Sequence, residues 1–375
     1  MATPPPQRRR RGPPVRLHDD LIAEILIRIP PDDPALFLRS SATCKALRGL
    51  LTDPAFLRRY RALHGTPPLL GFVFNDSAIN DDDPDFARFV PTSSFRPRTP
   101  DHEDLYALDS RHGHVLFHTL LSYSRDGALI VWNPITDEQR ELPFPEFEFT
   151  YWSAAVLCAA RGCDHLDCNG GPFLVAFVGS TYEGIMCAST YSSETAAWSD
   201  TINVEDSDVF VDLMKPATLV GNTLYFTTMY SEERILEFDL DRRQLSSINP
   251  PVARLDSNVL MPAEGGGLGF ARMHGSRLCL WAREAGPNGT VAWALRRFIE
   301  FNTLGRASLS FRPPDVVGYA EGLDAILLRS GAGVFAIELR SRRIRKVSDC
   351  VNMQTAIPYM SFYTPDNAAG SSSPP

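Results

Sequence analysis

The 375 residues carry a net charge of −8, with 44% hydrophobic and 22% charged residues, the balance of a soluble globular chain long enough for two or three domains. Charge is unevenly spread: residues 1–64 hold twelve Lys/Arg against six Asp/Glu, and the remainder holds 25 against 39. An acidic body excludes general nucleic-acid binding, which needs a basic surface to displace counterions, and no run approaches the ~18 apolar residues of a transmembrane helix.

Thirty prolines and 25 glycines predict many short elements joined by turns. The seven cysteines are an odd number without a disulfide-like framework, and the N-terminus lacks the apolar segment of an export signal. Reduced thiols in a cytoplasmic or nuclear compartment are therefore expected.

Residues 1–14, MATPPPQRRRRGPP, read as a disordered basic tail. Arg8–Arg11 fits either a nuclear import signal or a solvated flank. A compact helical block follows. Asp19 or Asp20 can cap a first helix, and Leu21, Ile22, Ile25, Leu26 and Ile29 recur at helical spacing. Pro30-Pro31 ends that helix. Asp33-Pro34 and Asp53-Pro54 each pair a capping carboxylate with a proline at the first helical position. Leu36, Leu47, Leu50 and Leu51 continue the apolar pattern, and Phe56, Leu57 and Tyr60 form the last apolar face. Some 45 residues cannot bury so many apolar side chains internally, so the surplus face calls for a partner.

The stretch Leu17–Leu51 resembles an F-box. It has an opening Leu17, acidic Asp19-Asp20, the run Leu21 to Pro30, then Leu38-Arg39-Ser40, Cys44-Lys45, Arg48 and Leu51, followed by Asp53-Pro54-Ala55-Phe56. His18 stands where the family usually has proline, and Leu47 where it often has tryptophan. The resemblance implies docking onto a Skp1-like adaptor and, through it, a cullin. It would place Leu17, Leu21, Ile25, Leu26, Ile29, Pro30, Leu36, Cys44, Leu47 and Leu51 at the contact, with Arg39 and Arg48 at its rim.

From Gly71 the texture changes to short runs bounded by Gly, Pro, Asn, Asp or Ser, among them GFVFND, GALIVWNP, GPFLVAFVGS, RILEFDLD and SRLCLWARE. A weak repeat aligns Trp132, Phe238 and Ile337. The gaps of 106 and 99 residues halve to about 50 if further units lie near Tyr191 and Trp293. That period predicts a kelch-like β-propeller of about five to six blades, giving an α plus all-β chain. The strands near Leu70–Phe74 and Phe89–Val90 are expected to join the C-terminal PYMSFY run in a closing blade, which removes exposed edges. The ending MQTAIPYMSFYTPDNAAGSSSPP is also similar to those of grass F-box proteins with an F-box-associated β domain, a resemblance spanning residues 15–370. The expected organisation is a tail over 1–14, an F-box over 15–64, a propeller over 65–364 and a disordered end over 365–375.

Candidate chemistry is sparse. Cys158, Cys163, His165 and Cys168 supply three sulfurs and an imidazole within eleven residues, the donor set of a zinc site, although the spacing is unusual. The alternative is a loop turned by Gly162 and Gly170-Gly171, with Cys158 as core filler. Gly265–Gly269 lacks the Gly-Lys-Ser/Thr of a phosphate loop and reads as a hairpin turn. No Gly-x-Ser-x-Gly nucleophile elbow exists, and His112, His114 and His118 read as strand and turn residues. Asp81–Asp83 reads as a solvated loop, and Arg340–Lys346 as one strand's basic face. The expected function is a non-catalytic substrate adaptor of a Skp1–cullin–F-box ubiquitin ligase, with no cofactor and an unknown target protein. The alternatives are a non-ligase scaffold and a zinc-dependent propeller protein.

Overall fold

The computed structural model describes residues 19–76, 86–119, 127–166, 168, 170–206, 209–229, 234–251, 258–286, 290–301, 314–351 and 353–364. Leu17, His18, both tails and Asp81–Asp83 lie outside them.

Four helices open the described chain: α1 (Asp19–Leu26), α2 (Pro34–Thr43), α3 (Lys45–Leu51) and α4 (Pro54–His64). The two Asp-Pro pairs do what their chemistry dictates. Asp33 accepts from the Leu36 amide at 3.2 Å and Asp53 from the Phe56 amide at 2.8 Å, each filling an amide left over in a first turn. At the far end of α4, Gly65 adopts a φ of +66°, and its amide reaches the Arg61 carbonyl. Phe37, Leu51, Phe56, Leu57 and Tyr60 form the centre of this block, and the Tyr60 hydroxyl donates to the Ile29 carbonyl at 3.0 Å.

The rest is a propeller of six antiparallel sheets. Blade 2 runs outward through Leu105–Arg111, His114–Thr119, Ala128–Trp132 and Gln139–Pro143. Blade 3 has Tyr151–Cys158, Phe173–Ser180 and Ile185–Ser192, with Ala197–Trp198 and Ile202–Glu205 both pairing the last of these. Blades 4, 5 and 6 follow in the same order, beginning at Thr218–Val220, Asn258–Pro262 and Asp315–Ala320. Blade 1 is assembled from both ends of the propeller. Ile357–Met360 is its innermost strand and pairs Leu69–Asp76, which pairs Phe86–Pro91 and then Asp101–Glu103. The expected closing blade is therefore present, and the propeller has six blades.

A sheet buries its faces only against another sheet, and each core here lies between neighbouring blades. Between blades 1 and 2, Tyr359 of the closing strand is fully buried beside Phe89 and Phe95, with ring centroids 5.8 and 6.2 Å away. Between blades 2 and 3, Trp152 stacks on Phe177 at 5.1 Å. Blade 6 meets the closing segment at Gly318, where an added Cβ would collide with the Ala356 carbonyl oxygen. The Ala356 amide donates to Val317 at 2.7 Å, which holds that approach.

The weak repeat proves to be a repeated turn. Between the third and fourth strands, blades 2, 3, 4 and 6 place Asp137, Ala196, Arg243 and Arg342 at φ of +65°, +53°, +52° and +59°. The amides of Asp137, Ala196 and Arg342 each reach the carbonyl four residues back, on Asn133, Ser192 and Glu338, at 2.8–2.9 Å. Trp132, Phe238 and Ile337 all lie on third strands, and so does Tyr191. Trp293 does not. It lies on the fourth strand of blade 5, Val291–Glu300, and the equivalent third strand is Arg277–Ala285. Those two strands form a nine- and ten-residue hairpin, so counting a fixed period slips by one strand there.

Candidate functional site

Two groups of side chains have geometry that goes beyond packing: an apolar ridge on the helical block, and a sulfur–imidazole cluster beneath that block.

On α1 the apolar residues divide between two directions. Ala23, Leu26 and Ile27 turn into the helical core. Leu21 and Ile25, one turn apart, are 55% and 58% exposed, and Leu36 on α2 is 39% exposed. Pro30, Arg39, Cys44 and Arg48 are also exposed, while Ile29 and Leu47 are partly covered. Glu24 bonds Arg59 of α4 at 2.7 Å beside this ridge, and that hydrogen bond lowers its pKa. Leu51, also expected at the contact, is fully buried in the cluster that includes Phe37, Phe56 and Tyr60. Leu17 lies outside the described residues.

The second group forms where strand Tyr151–Cys158 leaves blade 3. Cys158 ends that strand, and Cys163, His165 and Cys168 come from the loop leading to Phe173–Ser180. Their donor atoms all lie within 4.8 Å of one another. The Cys163 and Cys168 sulfurs are 3.5 Å apart, and Cys168 Sγ is 3.5 Å from His165 Nδ1. Left-handed residues make this possible: Gly162 at φ +67°, His165 at +58° and Gly170 at +72° fold the loop back on itself. The loop's base is closed by the Ala159 amide on the Pro172 carbonyl at 2.9 Å. The glycine turns were legible in the sequence, but Cys158 is half-buried beside the other sulfurs rather than filling a core.

The surroundings orient the group. The His165 amide donates to Cys163 Sγ at 3.4 Å. The Cys158 amide donates to His112 Nδ1 at 3.0 Å, and the His112 ring stacks on His165 at 4.1 Å and 16°. Sequence spacing left His112 as a turn residue. It does sit in a turn, at φ +53°, but only the fold brings it against a residue 53 positions away. Burial raises the thiol pKa values of Cys158 and Cys168.

The cluster adjoins an axial cavity of about 460 Å³ lined by Asp109, Arg111, Ala217, Leu260, Tyr319 and Ile357, and by His112, His165 and Cys168. The register of blade 2 shifts between Ala107 and Asp109, and the Asp109 carboxylate is buried. It accepts from Arg111 and from the Val156 amide at 2.9 Å, and Arg111 also donates to the Ala217 carbonyl. Burial raises the Asp109 pKa to about 6 against the pull of Arg111. Of the other expected features, Gly265–Gly267 forms the turn between Asn258–Pro262 and Leu268–His274, and the basic run holds the turn before Ile344–Ser348 and part of that strand. Among the described residues, no helix is long and apolar enough to cross a membrane.

The family profile described as F-box protein AT5G49610-like, beta-propeller matches residues 106–366. No curated protein matches the chain. Solved structures superpose loosely. A Dos1 propeller aligns over 76% of this chain and 71% of its own at 10% identity and a TM-score of 0.38. A catalytically inactive virginiamycin B lyase from Staphylococcus aureus aligns over 76% and 86% at 10% and 0.40. A functionally unknown protein from Desulfotomaculum acetoxidans aligns over 77% and 89% at 11% and 0.42. Superpositions this loose carry no further argument.

Proposed function

The chain belongs to the F-box protein AT5G49610-like β-propeller family, and from that premise we propose that it is the substrate-recognition adaptor of a Skp1–cullin–F-box ubiquitin ligase. In this reading the four-helix block is the F-box. Its outward ridge of Leu21, Ile25 and Leu36 is buried on a Skp1-like adaptor, and Arg39 and Arg48 at the rim steer the encounter. The observation that carries the reading is the double exposure of Leu21 and Ile25 on a block whose core is already filled by Phe37, Leu51 and Tyr60. Large apolar residues left outside a satisfied core mark a surface that another chain covers.

The adaptor does no covalent chemistry of its own. It tethers a target protein on the propeller near a ubiquitin-loaded enzyme, and the rate gain is effective concentration. Such work belongs in the cytoplasm or nucleus. Capture of a Skp1-type protein by the intact chain, abolished by Leu21→Asp with Ile25→Asp, is the expected result. An intact, folded chain that captures no Skp1-type protein removes the proposal.

A further inference from the structure

We propose that Cys158, Cys163, His165 and Cys168 form a closed structural zinc site, and that this site locks the loop carrying Leu166 against the helical block. The donor set comes first. Three thiols and one imidazole are the ligands of a four-coordinate structural zinc, and they leave no open position for a substrate.

Geometry follows. With Zn–S of about 2.3 Å and Zn–N of about 2.0–2.1 Å, a tetrahedron has edges of about 3.8 Å between sulfurs and about 3.5 Å between sulfur and nitrogen. The Cys163–Cys168 and Cys168–His165 spacings are both 3.5 Å. No pair in the set exceeds 4.8 Å, so the widest edge closes with a small side-chain rotation. The supporting shell is of the kind that metal sites use. The His165 amide on Cys163 Sγ favours the thiolate, and the stacked His112 ring backs His165 while its own Nδ1 accepts the Cys158 amide. A disulfide is the competing chemistry for two of these sulfurs. It would bring them to about 2.05 Å and leave Cys158 and His165 without a role.

The mechanical consequence rests on Leu166. It sits between two ligands in sequence, and its side chain packs on the cluster of Ile27, Phe37, Leu51, Tyr60 and Phe362. Phe362 comes from the segment after the closing strand, and its ring meets Tyr60 edge-on at 6.1 Å. Two propeller segments thus brace the helical block, and ligation fixes one of them. Zinc would set where the docking ridge stands relative to the propeller.

The test uses the untagged full chain, purified reduced and dialysed without chelator. The expected result is about one zinc per chain, and cobalt exchanged into the site gives the thiolate charge-transfer absorption of a tetrahedral sulfur-rich centre. Cys163→Ser lowers bound zinc to about a tenth or less, while Cys187→Ser, a cysteine elsewhere in blade 3, retains it. Reduced wild-type protein that holds no zinc and gives no cobalt spectrum overturns the site, as does a Cys163–Cys168 disulfide in the freshly isolated chain. Stripping the metal should speed amide exchange in α4 by about tenfold or more and leave Ala325–Ser330 of blade 6 unchanged. Unchanged exchange in α4 after complete removal overturns the bracing role.

Discussion

Leu21 and Leu51 are both leucines in the same helical block, one exposed and one fully buried, and opposite effects of truncating them are expected. Consider Leu21→Ala with Ile25→Ala against Leu51→Ala. Leu21 and Ile25 keep 55% and 58% of their surface outside the chain. Full burial of such a side chain contributes about 1.5–3 kcal/mol, so covering the exposed share of both is worth about 2–3 kcal/mol at a docking surface. That corresponds to a roughly 30- to 150-fold weaker Kd for the double variant. Its stability should fall little, because the truncated atoms already face water. Leu51, fully buried in the cluster that includes Phe37 and Phe56, should behave in reverse. Truncation leaves a cavity and costs about 2–5 kcal/mol of stability, and binding measured where the block remains folded should be near wild type. Titration of a purified Skp1-type protein into each variant, with thermal unfolding alongside, separates the two. A folded double variant that binds like wild type, or a folded Leu51→Ala that loses more affinity than it does, refutes the assignment of the ridge.

Gly318→Ala should destabilise the propeller by about 1–3 kcal/mol, read as a lowered unfolding midpoint, because the new methyl meets the Ala356 carbonyl where blade 6 touches the closing segment. Asp109 gives a pH signature. Its folded pKa is raised to about 6, so the folded state holds the proton more tightly than the unfolded chain, and the stability it contributes is present at low pH and lost as pH rises through about 6. Asp109→Asn lacks this titration, so the difference in unfolding temperature between wild type and variant should shift in favour of wild type as pH falls from about 7 towards 4. A difference independent of pH rejects the buried, proton-accepting carboxylate.

Local chemistry was legible wherever it is self-contained. Asp33-Pro34 and Asp53-Pro54 announce helix starts because cap and φ restriction act within three residues. The strands around Trp132, Phe238 and Ile337 announce themselves through one turn geometry shared by blades 2, 3, 4 and 6, and blade 5, which lacks it, is where the repeat was misread at Trp293. Closure of the propeller could also be anticipated, because strand-like runs at both ends of a repeat leave edges that only each other can pair.

The direction of α1 could not be read the same way. Leu21, Ile22, Ala23, Ile25, Leu26 and Ile27 are all apolar, and at about 100° per residue they cover roughly two thirds of the helix circumference, more than one core-facing stripe needs. Only the position of the core, supplied by Phe37, Leu51, Tyr60, Phe362 and Leu166, decides that Leu26 and Ile27 face inward and Leu21 and Ile25 outward. The sulfur–imidazole cluster divides similarly. Its donor types stand in the sequence, within eleven residues. Their convergence depends on left-handed turns at Gly162, His165 and Gly170 and on His112 arriving from the neighbouring blade. Composition, caps, turns and repeat are properties of short stretches, so the sequence determined a helical block followed by a closed β-propeller. Which faces remain open, and which distant side chains meet, depends on what each element packs against, and that was decided by the tertiary structure alone.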